Sequence, residues 1–244
     1  MNRKRRSIVF LAVFTASIMS ASILFGQASD PSVKEAGGMG YSMLGTSFLN
    51  LHDFNLKLES HGYPAVKGNF FSVGGGGHGI INNKFIIGGE GHSLLGESKS
   101  SGTYTSSLMV RYGFFDLGYI VYSIGDLRLY PLLGLGLGDM KFKISEKLTS
   151  FSFDDILDTP NRSSEISKSS FLINLAVGFD YFIKLAEDEH GRGGFLLGLR
   201  AGYCVSPFNS SWSIGDIEIS GVPDLGFAGP YIRLMIGGGG IGKN

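Results

Sequence analysis

A set of ionisable residues is interleaved with leucine, phenylalanine and glycine at spacings that would bring it to one face of extended strands: Glu90, Arg111, Asp116, Arg128, Asp180, Arg200 and Arg233. Around Arg128 the odd positions read Leu127, Leu129, Pro131, Leu133, Leu135 and Leu137. Around Asp180 they read Phe171, Ile173, Leu175, Val177 and Phe179, and around Arg200 the apolar positions are Leu197 and Leu199. A charge alternating with such residues must be paired or watered, because an isolated buried ion is prohibitively expensive. Two chemistries fit the set: a paired polar network that fills and locks an interior, or a conduction path for ions or protons.

Other chemistry-bearing residues point elsewhere. The runs Gly74–Gly77 and Gly237–Gly240 lack the lysine spacing of a phosphate-binding loop and open no helix, so they read as strand positions where bulk does not fit. Gly91-His92-Ser93 sets a base beside a hydroxyl, as a lipid hydrolase would need. Neighbours on a strand point to opposite faces, however, which keeps His92 and Ser93 from cooperating. Asp154, Asp155 and Asp158 have no EF-hand register around them and read as a solvated loop. Cys204 is the single cysteine, which excludes an internal disulfide and any multi-cysteine metal site. No metal or other cofactor is implied.

The elements that must position these residues follow a period of two. Alternation marks strands at about 37–48, 66–79, 84–96, 103–122, 127–144, 169–185, 193–206 and 227–240. The apolar face from Leu127 to Leu137 ends abruptly at Asp139, Lys141 and Lys143, and its length suits a tilted strand crossing hydrocarbon. The links alternate in length. Those at 49–65, 97–102, 145–168 and 207–226 are the long set, and those at 80–83, 123–126 and 186–192 the short one. That parity is the layout of an all-β, eight-stranded antiparallel up-and-down transmembrane β-barrel with both termini at its short-turn end.

In lipid every backbone N–H and C=O needs a partner, so the first and eighth strands are expected to pair. In a regular strand Arg111 and Asp116 cannot both face inward, and a bulge near Gly113 is expected to reconcile them. Pairing of 185 with 193 would set 180 opposite 198 and bring Arg200 diagonally within reach of Asp180. Leu51, Phe54 and Leu58 recur at helical spacing before Gly62-Tyr63-Pro64, predicting a short amphipathic helix that caps the barrel mouth, lies on headgroups or packs its own loop. Tyr104, Tyr119, Tyr122, Tyr181 and Tyr203 suit interfacial girdles.

Composition agrees with export and a glycine-rich β architecture. Of 244 residues 38 are glycine, about twice the usual ~7%, and only 17% are charged against a usual ~25%. Residues 1–28 read as a signal peptide: Arg3, Lys4, Arg5 and Arg6 precede an apolar stretch, and Gly26-Gln27-Ala28 suits cleavage near Ala28. Residues 29–244 would form the barrel. Without the four leader cations, 17 basic residues face 21 acidic ones, and nothing suggests nucleic-acid binding.

On these residues, over roughly 37–240, the chain resembles the small eight-stranded outer-membrane barrels, such as the transmembrane domain of outer membrane protein A and its adhesin relatives. Such barrels end in an aromatic residue; here Tyr231 to Ile236 alternates suitably and the sequence ends Gly242-Lys243-Asn244. The resemblance implies residence in the bacterial outer membrane, amid lipid bilayer and lipopolysaccharide. The leading expectation is a non-enzymatic structural or interaction component, an adhesin or accessory subunit meeting envelope proteins through outer loops 49–65, 145–168 and 207–226. A narrow channel gated by the inward charges is the alternative, and a lipid-modifying enzyme the third.

Overall fold

The computed structural model describes residues 35–147, 152–158, 163–187, 191–208, 210–223 and 225–243. The signal peptide expected at 1–28 lies outside them. The alternation of small or polar with apolar residues produces long strands: β1 (Glu35–Phe48), β2 (Asn69–Ile81), β3 (Phe85–Leu95), β4 (Tyr104–Tyr119), β5 (Leu127–Glu146), β6 (Ser163–Glu187), β7 (Gly191–Val205) and β8 (Gly229–Lys243). Each pairs antiparallel with its chain neighbours, and β1 pairs with both β2 and β8, so the sheet closes on itself.

Register fixes the shape. A path of directly paired residues runs from Asp139 on β5 through Arg111, Ser93, Val73, Leu44, Leu234, Leu199 and Phe179 to Leu129, again on β5. Start and finish, 139 and 129, differ by ten residues, which is the shear of the barrel. With eight strands ~4.8 Å apart and a rise of ~3.3 Å per residue, such a shear tilts the strands by roughly 40°. An eight-stranded ring leaves an interior just wide enough for side chains.

The two faces differ in kind. Leu133, Leu135, Leu137, Phe171, Leu175, Val177, Phe179, Leu197 and Leu199 are exposed on the outside, with Leu127, Leu129 and Ile173 half-buried on the same face. Inward positions between them are buried without exception from Leu172 to Phe182. No helix among the described residues is long and apolar enough to cross a membrane.

The short-turn end carries the tight connections. Asn82 and Asn83 adopt positive φ in the turn between β2 and β3, which the Lys84 N–H closes on the Ile81 carbonyl at 3.1 Å, a conformation asparagine tolerates. Gly125 (φ 58°) turns the chain back from Tyr122–Ile124 into β5. At the other end the links are long. The first holds α1 (His52–Ser60), where Leu51, Phe54 and Leu58 predict it; the third holds α2 (Phe153–Asp158).

Three features depart from expectation. The pairing of β4 with β3 and β5 runs unbroken through Gly113, so no bulge reverses the phase there. The register shift that does occur lies between Lys184 and Ala186, near the inner end of β6. The link at 207–226 is not all loop: Trp212–Ile214 and Ile217–Ile219 form a hairpin that turns at Gly215 and joins the outer end of β6 through Ser213 and Ser167.

Candidate functional site

Among the described residues the lumen gathers the buried ionisable ones, and it is layered. At the short-turn mouth, Asp126 accepts from Arg192 Nη1 at 2.8 Å and lies 3.3 Å from Lys184 Nζ. Deeper, Arg128 Nε donates to Asp180 Oδ1 at 2.7 Å, the two residues standing directly opposite each other across β5 and β6. Above this pair lies His78, whose ring centroid is 5.3 Å from that of Tyr41 and 6.3 Å from that of Tyr130.

The middle layer is built on Glu90. Its carboxylate accepts from Arg200 Nη1, lies 3.5 Å from Arg233 Nη1 and 3.3 Å from His92 Nε2. Arg200 also approaches Asp116 at 3.8 Å and donates to the Tyr41 hydroxyl at 3.4 Å. Arg233 donates to the Tyr112 hydroxyl at 2.6 Å and stacks on the Tyr231 ring, its Cζ 3.6 Å from the centroid. The Tyr231 hydroxyl in turn donates to Asn174 Oδ1 at 2.8 Å. Both arginine side chains and Glu90 are fully buried, which a low-dielectric interior tolerates only because charges of both signs and several donors converge.

The outer third of the lumen is filled differently. Leu94, Leu108, Phe114, Met140, Phe142, Leu172 and Phe227 close it with apolar side chains, and α1 lies across the opening. Phe54 meets Phe142 edge-on at 4.8 Å and stacks near Trp212 at 6.5 Å. The link that carries α1 is pinned by Asn55, whose side chain donates to the Val66 carbonyl and accepts from its N–H, at 2.8 and 2.9 Å. Of the three readings of this helix, the cap is the one its buried face fits. Lys168, buried beside the plug, donates to the Leu225 carbonyl.

Glu90, Asp116, Arg128, Asp180, Arg200 and Arg233 thus lie inside. Arg111 does not: with the ladder regular through Gly113, it takes the parity opposite to Asp116 and projects outward, beside Ser93 and Asp139 in the register. Asp180 stands opposite Gly198 as expected, yet its partner is Arg128, because Arg200 reaches across the lumen to Glu90. Sequence reasoning left Tyr41, His78, Tyr112, Tyr130, Tyr231 and Asn174 out of the lumen set and weighed His92 only beside Ser93. All share the inward parity of their own strands, and that parity was the available signal. Tyr104, Tyr119, Tyr122, Tyr181 and Tyr203, by contrast, are exposed near strand ends.

The remaining candidates stay apart. His92 points into the lumen and Ser93 to the outer face. Asp155 accepts from the N–H and hydroxyl of Ser152 and so caps α2 rather than joining its neighbours in a cation site. Among the described residues no group of three or more His, Cys, Asp or Glu side chains could hold a metal. In the outer loops Lys67 lies 2.5 Å from Glu97, and that hydrogen bond and charge hold the Glu97 carboxyl below its ordinary range, with Lys99 contributing less.

A closed ring, an apolar outer belt and a packed polar lumen define the small eight-stranded outer-membrane type of β-barrel. Solved structures similar to the chain include the attachment invasion locus protein Ail of Yersinia pestis, in complex with the heparin analogue sucrose octasulfate. It is 15% identical, with 86% of this chain and 98% of that one covered and a TM-score of 0.38. Neisserial surface protein A is 11% identical, covering 86% and 97% with a TM-score of 0.39. The outer membrane protease OmpT of Escherichia coli is 10% identical, covering 87% and 97% with a TM-score of 0.28. No family model matches the chain, and no curated protein matches it in sequence.

Proposed function

We propose that the protein is a non-conducting, non-enzymatic component of the bacterial outer membrane that works through its loop end, as an adhesin or as an accessory subunit of an envelope complex. The observation that carries this reading is the filled lumen: interlocked Glu90, Arg200 and Arg233 in the middle, and an aromatic plug beneath α1 at the outer end. A bore occupied in this way leaves work to the surfaces. At the loop end Phe153, Leu157, Phe208, Ile214 and Ile217 are exposed beyond the lipid belt, which favours contact with another macromolecule there.

The test is purification from native membranes in mild detergent, followed by identification of what co-migrates. The expected result is a defined envelope partner that is lost when the 212–219 hairpin is replaced by a glycine-serine turn, with the heat-modifiable gel migration of the folded barrel retained. Co-migration unchanged by replacing either the hairpin or α2 would contradict a loop-borne interaction. A purified protein that chemically altered lipopolysaccharide or phospholipid would contradict the non-enzymatic part.

A further inference from the structure

Beyond the closed ring, three short strands are paired on one side only among the described residues: Lys99–Ser101, Tyr122–Ile124 and Ile217–Ile219. Natural sheets guard such edges with lysine, proline or a bulge. Lys99 serves the first, and the second lies at the short-turn end. Ile217–Ile219 stands at the loop end with none of these guards, and Ile217 is 73% exposed.

The open side of this strand carries groups suited to another strand. Gly215 (φ 61°) and Asp216 make a two-residue turn, so Ile214 and Ile217 are the hydrogen-bonded pair that closes it. The next pair, Ser213 and Glu218, then aims its backbone groups apart. Those of Ser213 face β6, where it meets Ser167, and the N–H and C=O of Glu218 face the open side. Side chains add a charge pattern. Ile217 and Ile219 take one face, with Ile219 packed on the plug, and exposed Glu218 takes the other, beside Asp216 at the turn. The link 207–226 holds no lysine or arginine. Lys141 and Lys143 lie on β5, across β6 and its Glu165 from the hairpin, and Lys168 is buried at the Leu225 carbonyl.

We propose that Ile217–Ile219 is the docking edge for an extended segment of a protein partner, which joins the hairpin as a further strand and alternates apolar residues, beside the isoleucines, with a basic one opposite Glu218. A second copy of this chain suits the edge poorly, because antiparallel self-pairing centred on the strand sets Glu218 against Glu218. This docking rests on the loop-end function above and gives its partner a form and a charge.

The probes are the end-blocked peptides Val-Lys-Val-Lys-Val and Val-Glu-Val-Glu-Val, titrated into the refolded protein in detergent and followed by amide NMR and hydrogen exchange. Saturable shifts over 216–220 and slowed exchange of the Glu218 amide are expected with the lysine peptide alone. Glu218→Lys keeps the backbone edge and is expected to weaken that peptide roughly tenfold while admitting the glutamate peptide. Glu218→Pro removes the open-side N–H and spares the bonds within the hairpin, so it is expected to abolish both peptide binding and co-migration of the native partner, with the Trp212 indole signal and heat-modifiable migration retained. A native partner lost with the whole hairpin yet kept by Glu218→Pro would overturn strand docking and leave the loop-end function standing. Equal response to the two peptides, response to neither, or shifts without slowed Glu218 exchange would also overturn it. Dimers of the protein alone that vanish in Glu218→Pro would overturn it in favour of a second copy.

Discussion

The two halves of the lumen solve the same filling problem with opposite chemistry. Toward the loops the space is closed by a dry apolar cluster on which Phe54 and Leu58 of α1 rest. Toward the short turns it is filled by ion pairs, tyrosines and two histidines, His78 and His92, and it opens into a cavity. An apolar plug needs no partner beyond good packing, whereas a buried charge tolerates no loss of its counter-ion. The difference teaches that the outer half is a seal and the inner half a lock.

Substitutions in the two halves should therefore fail differently. The largest effect is expected in the lock: Glu90→Gln strips the carboxylate from between Arg200 and Arg233 and should cost about 3–5 kcal/mol, the usual penalty for stranding a buried charge. Denaturant unfolding of the refolded barrel reads this directly, and an unshifted midpoint would break the comparison. In the seal, Phe54→Ala should cost about 3 kcal/mol of packing. That loss should appear as faster amide exchange confined to α1 and its link, with exchange in the strands unchanged.

Glycines sharpen the contrast at a finer scale. Gly178 faces the lumen, and a side-chain carbon there would run into the Tyr130 ring, so Gly178→Ala should cost about 1–3 kcal/mol through forced repacking. Gly38 lies on the outer face with open space where such a carbon would go, and Gly38→Ala should stay within about 0.5 kcal/mol. Equal effects at the two sites in the unfolding assay would mean that glycine is not there for fit at Gly178.

The smallest effect belongs to the loops. NMR titration should find Glu97 below the ordinary carboxylate range and Lys67→Gln should move it upward. A depressed carboxyl contributes stability above its unfolded-state value and loses it as pH falls through the folded one. For so exposed a pair the change in unfolding should be barely visible.

Strand parity made most of the fold legible. Apolar residues alternating with polar ones, odd with even on β5 to β7 and even with odd on β8, placed Arg128, Asp180, Arg200 and Arg233 inside, and link parity closed the ring on β1, a strand with little pattern of its own. Partner choice was not legible. Glu90 on β3 meets Arg200 on β7 across the bore, a contact set by shear and side-chain reach rather than by neighbouring positions. Arg111 was misplaced because a charge was assumed to need the interior; at the edge of the lipid belt, with Asp139 opposite in the register, the outer face accommodates it. The hairpin at 212–219 escaped notice because two three-residue strands around one glycine are too short to show a period.

The sealed lumen is tested most directly by planar-bilayer recording of the purified, refolded protein. A plug of aromatic side chains over an ion-paired waist predicts silence across the usual voltage range, in wild type and after Arg200→Gln paired with Glu90→Gln. Steady openings of the wild-type protein, altered when Arg200 or Asp180 is neutralised, would contradict it and make the inner charges the walls of a pore.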